Sequence, residues 1–209
     1  MALVGYLIKA CNILCVCICF VVFFKVGNPT SEKTIDFPSG FSINTAADAP
    51  KDRMHVRTRD GRFASIQRRS PYSTWDIYTL DDENGLTLAT TIKSRSFFSW
   101  GEKWTISDGM VGSVYSIEQQ VIWSFIAARN IYTIYKDGVE IGTLEKFHET
   151  KPSIEVSDFL GVCAIASKSL LFYETWRINY VRECELQPQI LAMFTGAKHI
   201  EELRAEQRN

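Results

Sequence analysis

The sequence predicts a mainly β protein, with an antiparallel closed β-barrel around a central hydrophobic C-terminal helix and an N-terminal transmembrane helix before it. Three patterns support this fold: an apolar first segment, short β runs joined by tight turns, and a last segment with helical periodicity. Thirteen Phe, eight Tyr and five Trp residues, mostly in the β region, are typical of a well-filled β core. The 209 residues suffice for one β domain and an accessory segment.

Residues 3–24 form the most hydrophobic segment and contain a single charge, Lys9. A helix of this length crosses a hydrocarbon core of about 30 Å, and Lys9 is close enough to one end to reach the interface. No pair of small residues spaced for cleavage follows Phe24. An uncleaved single-pass anchor over 1–26 is therefore favoured, with a cleaved signal peptide and a buried core helix as the alternatives.

Residues 27–50 are rich in Gly, Pro, Ser and Thr, which predicts a flexible linker, interrupted at most by one short strand over 37–43. The β domain is then expected over 51–209. Lys25 and Lys33 flank the anchor on its C-terminal side, and an excess of Lys and Arg marks the cytosolic side of a span. We therefore expect the β domain in the cytosol, with the secretory lumen as the alternative.

Residues 51–69 are the most charged stretch, with seven Lys or Arg residues against two Asp. Arg57 and Arg59 alternate with Val56 and Thr58, which places both guanidinium groups on one face of a predicted strand. One interpretation is a solvated face whose arginines pair with acidic turns such as the one at 81–83. The other is a surface for phosphates or lipid head groups, with these anion-binding residues: Arg53, Arg57, Arg59, Arg62, Arg68 and Arg69.

The clearest hairpin covers residues 130–147, where two β-forming runs flank Asp137-Gly138. Such a pair accepts positive φ and closes a two-residue turn whose twist matches antiparallel strands. Asp108-Gly109 and Asn84-Gly85 repeat the pattern at roughly 30-residue spacing. We therefore expect about ten short strands over 75–182, each paired with its sequence neighbour.

Two apolar stretches interrupt this series. Residues 120–128 indicate another apolar strand, followed by Arg129. Residues 95–100 indicate a loop or bulge with exposed aromatic side chains, Phe97, Phe98 and Trp100. If the chain is a scaffold for a protein partner, we expect this loop to form the contact surface.

The last segment differs in kind from the β region. Pro188 predicts the start of a helix, because proline is tolerated in a first turn. Residues 189–197 carry no charge and are apolar on nearly all sides, whereas the following residues are rich in Glu, Lys and Arg. Such a helix is buried at first and then emerges into water. In an all-β chain, the buried half belongs inside a closed barrel.

Catalysis and metal binding have little support in the sequence. The three histidines are far apart, and no nucleophile motif accompanies them, so we expect a protein that is not an enzyme. No Cys-x-x-Cys pair lies beside a His pair, so we expect no metal and no cofactor. A disulfide between Cys163 and Cys184 requires an oxidising compartment. The net charge of −1 selects no partner, and we expect no nucleic acid.

The hairpin series and the terminal helix resemble the tubby C-terminal-like superfamily, and its LURP-one-related and phospholipid-scramblase branch most closely. The resemblance covers roughly residues 54–203 and is carried by Trp104-Thr-Ile-Ser-Asp-Gly, Tyr132-Thr-Ile-Tyr-Lys-Asp-Gly-Val-Glu-Ile-Gly, Asp158-Phe-Leu-Gly and Ile190-Leu-Ala-Met-Phe-Thr-Gly-Ala. It implies a twelve-stranded barrel around a central hydrophobic helix. Gln187-Pro188 departs from the family, since such proteins often place an acidic residue before the last helix.

Tubby-like domains with a basic face bind phosphoinositides, so the resemblance implies a membrane-anchored lipid-binding module whose partners are a membrane and an anionic phospholipid. One alternative is a scaffold that binds a protein partner. Another is a phospholipid scramblase, but scramblases use the terminal helix itself as the membrane segment. Here that helix ends in charged residues, which make it a poor span: Lys198, Glu201, Glu202 and Arg204.

Overall fold

The computed structural model describes residues 38–46, 52–69, 76–95, 101–147, 152–169 and 176–206. The transmembrane helix predicted over 1–26 lies outside these ranges. The described residues belong to one compact unit, which extends from Asp36 to Asn209. Within the described ranges, no helix combines the length and the apolar content that crossing a membrane requires.

The described residues form twelve strands and two helices. In chain order they are β1 (Gly40–Thr45), β2 (Arg53–Thr58), β3 (Gly61–Arg68), β4 (Asp76–Asp82), β5 (Thr87–Arg95), β6 (Glu102–Asp108), β7 (Val114–Gln119), α1 (Val121–Ile126), β8 (Asn130–Lys136), β9 (Val139–Phe147), β10 (Ser153–Asp158), β11 (Gly161–Lys168), β12 (Trp176–Tyr180) and α2 (Pro188–Glu206).

Every strand is antiparallel to its sequence neighbours, and β1 pairs with both β2 and β12, so the sheet closes on itself. Closure leaves no unpaired sheet edge that could recruit another chain. The predicted mainly β fold with a closed antiparallel barrel is thereby confirmed.

The barrel begins before residue 51, where the sequence placed the start of the β domain. β1 lies inside the stretch assigned to the linker, and Phe41 and Ile43 are buried in the core. The short strand allowed over 37–43 overlaps β1, but the sequence did not place it in the barrel, because six residues between Gly- and Pro-containing segments hold only two inward apolar positions. It is stabilised by pairing with β2, its sequence neighbour, and with β12, which is distant in sequence.

The prediction of a strand over 120–128 is wrong, because α1 occupies Val121–Ile126. A short continuous apolar run does not distinguish a strand from a helix by periodicity. The helix is fixed locally by Ser124, whose Oγ accepts a hydrogen bond from the backbone N–H of Ile131 at 2.9 Å. Ser124 is the buried residue of this turn, so the apolar side chains around it point outward.

The turn at Asp137-Gly138 has the predicted form, with φ of 50° and 84°, and joins β8 to β9 directly. The turn after Asp108 is wider than predicted. The residue with positive φ there is Gly112, at 79°, and the Asp108 carboxylate accepts backbone hydrogen bonds from Met110 and Val111. An acidic residue before glycine therefore marks both turns but specifies the length of only one.

Helix α2 begins at Pro188, as predicted, and residues 189–200 are all buried. Phe194 packs edge-on against Trp104 of β6 and Tyr132 of β8, with ring centroids 5.7 and 5.5 Å apart. On another side of the helix, a Cβ added at Gly196 would overlap Cδ1 of Ile66 on β3. Contacts with several walls place the helix inside the barrel, and burial extends three residues beyond the predicted 189–197.

Candidate functional site

In an antiparallel barrel, alternate connections lie at opposite ends. The end that holds the turns at 59–60, 83–86, 109–113, 137–138 and 159–160 is called the hairpin end. The described chain enters the barrel at this end at Pro38, and α2 begins there. The other end, called the α1 end, carries α1 and the last residues of α2.

The six arginines predicted to bind anions fall into two groups. Arg57, Arg59 and Arg62 lie at the hairpin end, whereas the α1 end has the other three: Arg53, Arg68 and Arg69. From Arg62 to Arg68, β3 extends roughly 20 Å at about 3.3 Å per residue. The predicted residues therefore do not form a single site.

At the α1 end, the arginines are engaged with carboxylates of β4. The Arg68 side chain is only 8 % exposed, and its Nη2 lies 2.5 Å from Oδ1 of Asp76. Arg69 donates to Oδ2 of Asp81 at 2.6 Å and to the Thr79 hydroxyl at 2.9 Å. Arg53 is partly buried on β2. Arg68 and Arg69 therefore form ion pairs with carboxylates, as the first of the two interpretations expects.

At the hairpin end, Arg57 and Arg59 are exposed, and neither makes an ion pair with any residue that the structure describes. Arg62 is the cross-strand partner of Arg57, next to an irregularity in the β2–β3 register. Its ion pair with Glu83 spans 3.3 Å between two half-exposed side chains, a kind of contact that stabilises little. Arg59 lies in the turn and not on the strand face with Arg57, which corrects the predicted geometry.

Three guanidinium groups at one hairpin tip suit a phosphate, because arginine donates paired hydrogen bonds to two oxygens at once. The hairpin end as a whole is not basic. Its carboxylates are Asp60, Asp82, Glu83, Asp108, Asp137, Glu140, Asp158, Glu183 and Glu185, and its cations are Arg57, Arg59, Arg62, Lys136 and Arg182. Among the described residues of this end, the clustered cations are therefore those of the β2–β3 hairpin.

The hairpin end also exposes apolar side chains. They are Leu86, Val111, Val114, Val139, Phe159, Leu160, Val162 and Val181. Phe159 and Leu160 form the β10–β11 turn and are 80 % and 85 % exposed. Side chains of this size at a hairpin tip contribute nothing to the core, so they are available to a partner or a membrane.

A second apolar patch lies at the α1 end and consists of Ile122, Trp123, Phe125 and Ile126, with Phe125 88 % exposed. Beside it is an open cavity of about 800 Å³ that Gly101, Glu118 and Val121 help to line. The patch was missed in the sequence because its residues were assigned to an apolar strand. The exposed aromatic residues predicted for the loop over 95–100 were Phe97, Phe98 and Trp100, and they lie outside the described residues.

Sequence reasoning also missed a charged cluster inside the barrel at the α1 end. Three barrel or helix lysines pair with three glutamates; the six residues are Lys93, Lys146, Lys198, Glu102, Glu201 and Glu202. Lys198 Nζ lies 2.5 Å and Lys93 Nζ lies 3.2 Å from the carboxylate of Glu102. Lys93 and Lys146 occupy inward positions of their strands, a signal that strand alternation could have provided.

Burial alone would raise the pKa of Glu102, but Lys198 and Lys93 outweigh it and lower the pKa to about 2. Burial acts in the same way on Glu202, where His199 and Lys146 lower the pKa to about 2. Both carboxylates are therefore ionised at neutral pH. The charges in the cluster balance, so it closes the α1 end by matching opposite charges rather than by presenting a charged site.

The two cysteines of the β domain form a disulfide with a Cα–Cα distance of 5.4 Å. It joins β11, at Cys163, to the segment before α2, at Cys184. Asp158 lies within 4.8 Å of both sulfurs, which makes this trio a candidate set of metal ligands. However, Arg182 donates to both carboxylate oxygens of Asp158, and the disulfide uses both thiols. The arrangement therefore acts as a crosslink between the barrel wall and the start of the helix.

Two of the three histidines are described, and they lie on different sides of the barrel wall. His55 alternates with the buried Met54 and Val56 on β2 and therefore faces outward. His199 is buried inside the barrel with its ring edge-on to Trp176 at 6.1 Å. The wall prevents these two imidazoles from acting on one substrate. His148 lies outside the described residues.

No protein-family model, no curated protein and no solved structure matches this chain. The resemblance to tubby-like proteins therefore stays a prediction, and function has to be argued from the geometry of the barrel.

Proposed function

We propose that this chain is a membrane-anchored, non-catalytic tubby-like protein whose barrel binds anionic lipid head groups of the phosphoinositide type at a membrane surface. The observation that carries the proposal is the position of Arg57 and Arg59. Both are exposed without an ion pair to any described residue, beside Arg62 and at the barrel end where the chain enters from its hydrophobic segment.

The architecture supports the family assignment. A closed barrel of twelve antiparallel strands encloses a C-terminal helix that is buried over residues 189–200. The tubby-like resemblance implies this arrangement, including the number of strands. It also weighs against the scramblase alternative, since a helix enclosed by the barrel wall does not cross a bilayer at the same time.

The short connection to the predicted anchor supports a function at the membrane. Eleven residues, 27–37, separate the anchor from Pro38. A flexible chain of that length spans about 18 Å on average. The barrel would then experience a high local concentration of head groups, and weak intrinsic affinity suffices. Each basic residue near an anionic surface contributes about 1 kcal/mol, which fades within a Debye length.

The test uses residues 36–209, whose folding is checked by circular dichroism, and vesicles with or without a phosphoinositide. Replacing Arg57, Arg59 and Arg62 with Gln should weaken binding on the order of 100-fold, since three contacts of about 1 kcal/mol are lost. It should also flatten the salt dependence. The matched control removes the same charge elsewhere on the barrel, through Lys103→Gln, Arg129→Gln and Arg177→Gln. Equal binding by the two triple variants would show that the hairpin arginines are only a solvated face.

Two features point to opposite sides of the membrane. Flanking Lys25 and Lys33 favour the cytosol, where phosphoinositide head groups are found, whereas a disulfide persists only in an oxidising compartment. We propose the cytosolic side, where the reducing environment opens the Cys163–Cys184 disulfide to two thiols. Protease protection in sealed microsomes, with thiol alkylation before lysis, tests this. A protected domain with unreactive cysteines would place it in the lumen and exclude phosphoinositides as its ligand.

A second candidate function, a protein-binding scaffold, is supported by the apolar patch on α1. Ile122→Ser with Phe125→Ser replaces the two most exposed apolar side chains of the patch and leaves the core unchanged. Proximity labelling in cells distinguishes the functions. A scaffold loses its labelled neighbours in this variant and keeps them in the triple arginine variant, and a lipid-binding protein shows the reverse.

A further inference from the structure

We propose that the hairpin end of the barrel faces the bilayer and that Phe159 and Leu160, at the tip of the β10–β11 hairpin, insert into the membrane interface. The partner is the apolar boundary of a lipid bilayer, irrespective of head-group charge. This inference rests on the membrane anchor of the proposed function but not on its arginine site.

The tip has the composition and the rigidity that insertion requires. Phe159 and Leu160 are among the most exposed large apolar side chains of the described residues. The Leu160 N–H donates to Asp158 Oδ1 at 2.7 Å, which holds the turn. Arg182 binds both oxygens of Asp158 and also donates to the carbonyl of Gly161 at 2.6 Å. The turn is thus held in place before it meets a partner, which reduces the entropic cost of binding.

The local charge also fits an apolar environment. Asp158 is neutralised by Arg182, so the tip itself carries no net charge. Across the rest of the hairpin end carboxylates outnumber cations, which disfavours a general attraction to anionic lipid. Contact of Phe159 and Leu160 with the interface is therefore driven by burial of apolar area, which is insensitive to salt.

Connectivity selects this end over the α1 end. The chain enters at β1, which lies between β12 and β2. On the β12 side of β1, Val181 is hydrogen-bonded to β11 at Cys163, near the β10–β11 tip. On the β2 side of β1 lies the hairpin with Arg57 and Arg59. α2 has nineteen residues and extends about 28 Å along the barrel. The predicted anchor precedes Pro38 in the chain, so it joins the barrel at the hairpin end, whereas the α1 patch lies at the opposite end of α2.

The test uses the full chain, reconstituted into vesicles of neutral phosphatidylcholine and isolated by flotation. The photoreactive residue benzoylphenylalanine replaces one exposed side chain at a time: Leu160 at the tip, Phe125 on α1, or Arg177 on the barrel side. After illumination, mass spectrometry measures protein–lipid adducts. We expect adducts at Leu160, also at high salt, and background levels at Phe125 and Arg177.

A second measurement tests the apolar contact itself. With benzoylphenylalanine at Val181 as the reporter, Phe159→Ser with Leu160→Ser should abolish the lipid adduct, because the tip no longer holds the barrel against the interface. The matched pair Ile122→Ser with Phe125→Ser, on the α1 end, should leave the adduct unchanged.

The outcomes separate the two proposals. Phosphatidylcholine has no net charge and no inositol phosphate, so binding of an anionic head group by Arg57, Arg59 and Arg62 does not contribute to adducts at Leu160. If the protein floats with the vesicles but forms adducts at Phe125, or at none of the three positions, the hairpin end does not face the bilayer. A protein that does not float refutes the membrane anchor of the proposed function, and this surface then has no bilayer to face.

Discussion

The contact between Gly196 and Ile66 allows a quantitative test of how the helix packs inside the barrel. A Cβ at Gly196 would overlap Cδ1 of Ile66, whereas the next Ile66 atoms, Cγ1 and Cγ2, lie at 3.5 and 3.6 Å. At an unobstructed helix position, Gly→Ala stabilises by about 1 kcal/mol. Overpacking a core costs about 1–3 kcal/mol. Gly196→Ala should therefore lower the free energy of unfolding by up to about 2 kcal/mol.

The partner substitution Ile66→Val removes Cδ1 and by itself costs about 1 kcal/mol. In that background the overlap disappears, so Gly196→Ala should no longer destabilise. The expected coupling energy is about 1–3 kcal/mol, measured by urea unfolding of residues 36–209 with tryptophan fluorescence. Ile117→Val on β7, equally buried, is the control and should combine additively with Gly196→Ala. If Gly196→Ala stabilises whatever residue occupies position 66, the packing of α2 on β3 is wrong.

Three further predictions concern the helix, the crosslink and the charged cluster. Phe194→Ala should cost about 3–5 kcal/mol by urea unfolding, whereas Leu203→Ala, on the partly exposed end of α2, should cost much less, and equal small losses would contradict a central helix. The disulfide closes a loop with a sequence separation of 21, so the reduced protein should have a free energy of unfolding about 3 kcal/mol lower than the oxidised protein. Cys184→Ala should remove this response to reductant. Because the pKa of Glu102 falls to about 2 on folding, its contribution is complete above the unfolded pKa and is lost as the pH falls toward 2. The free energy of unfolding from thermal melts should therefore fall more between pH 5 and pH 2 for the parent than for Glu102→Gln, with a difference of at most about 3 kcal/mol. Parallel pH dependences for the two proteins would show that ionised Glu102 does not stabilise the fold.

The part of the fold that local chemistry controls could be read from the sequence. The Asp137-Gly138 turn, the start of α2 at Pro188 and the burial of residues 189–197 follow from backbone preferences and periodicity within a few residues. α1 could not be read in the same way, because a six-residue apolar run fits either a strand or a helix until its neighbours are placed.

The candidate site shows the same division. Sequence identified a basic segment, but strand register decided that its arginines lie at opposite ends of the barrel. Arg68 turned out to be paired with Asp76, whereas Arg57 and Arg59 make no ion pair with a described residue. Local alternation correctly separates inward from outward positions, yet it does not show which distant carboxylate lies within reach of an arginine.

By itself, the sequence determined the β character of the chain, its hairpin series and its terminal helix, because turn chemistry and hydrophobic period act over short distances. Only the tertiary structure decided that β1 closes the barrel, that the hairpin end collects exposed apolar tips beside Arg57 and Arg59, and that inward lysines neutralise the end of α2. Lys93 and Glu201 meet across a sequence separation of 108 residues. Such contacts depend on closure of the whole sheet, which places residues together that no local pattern relates.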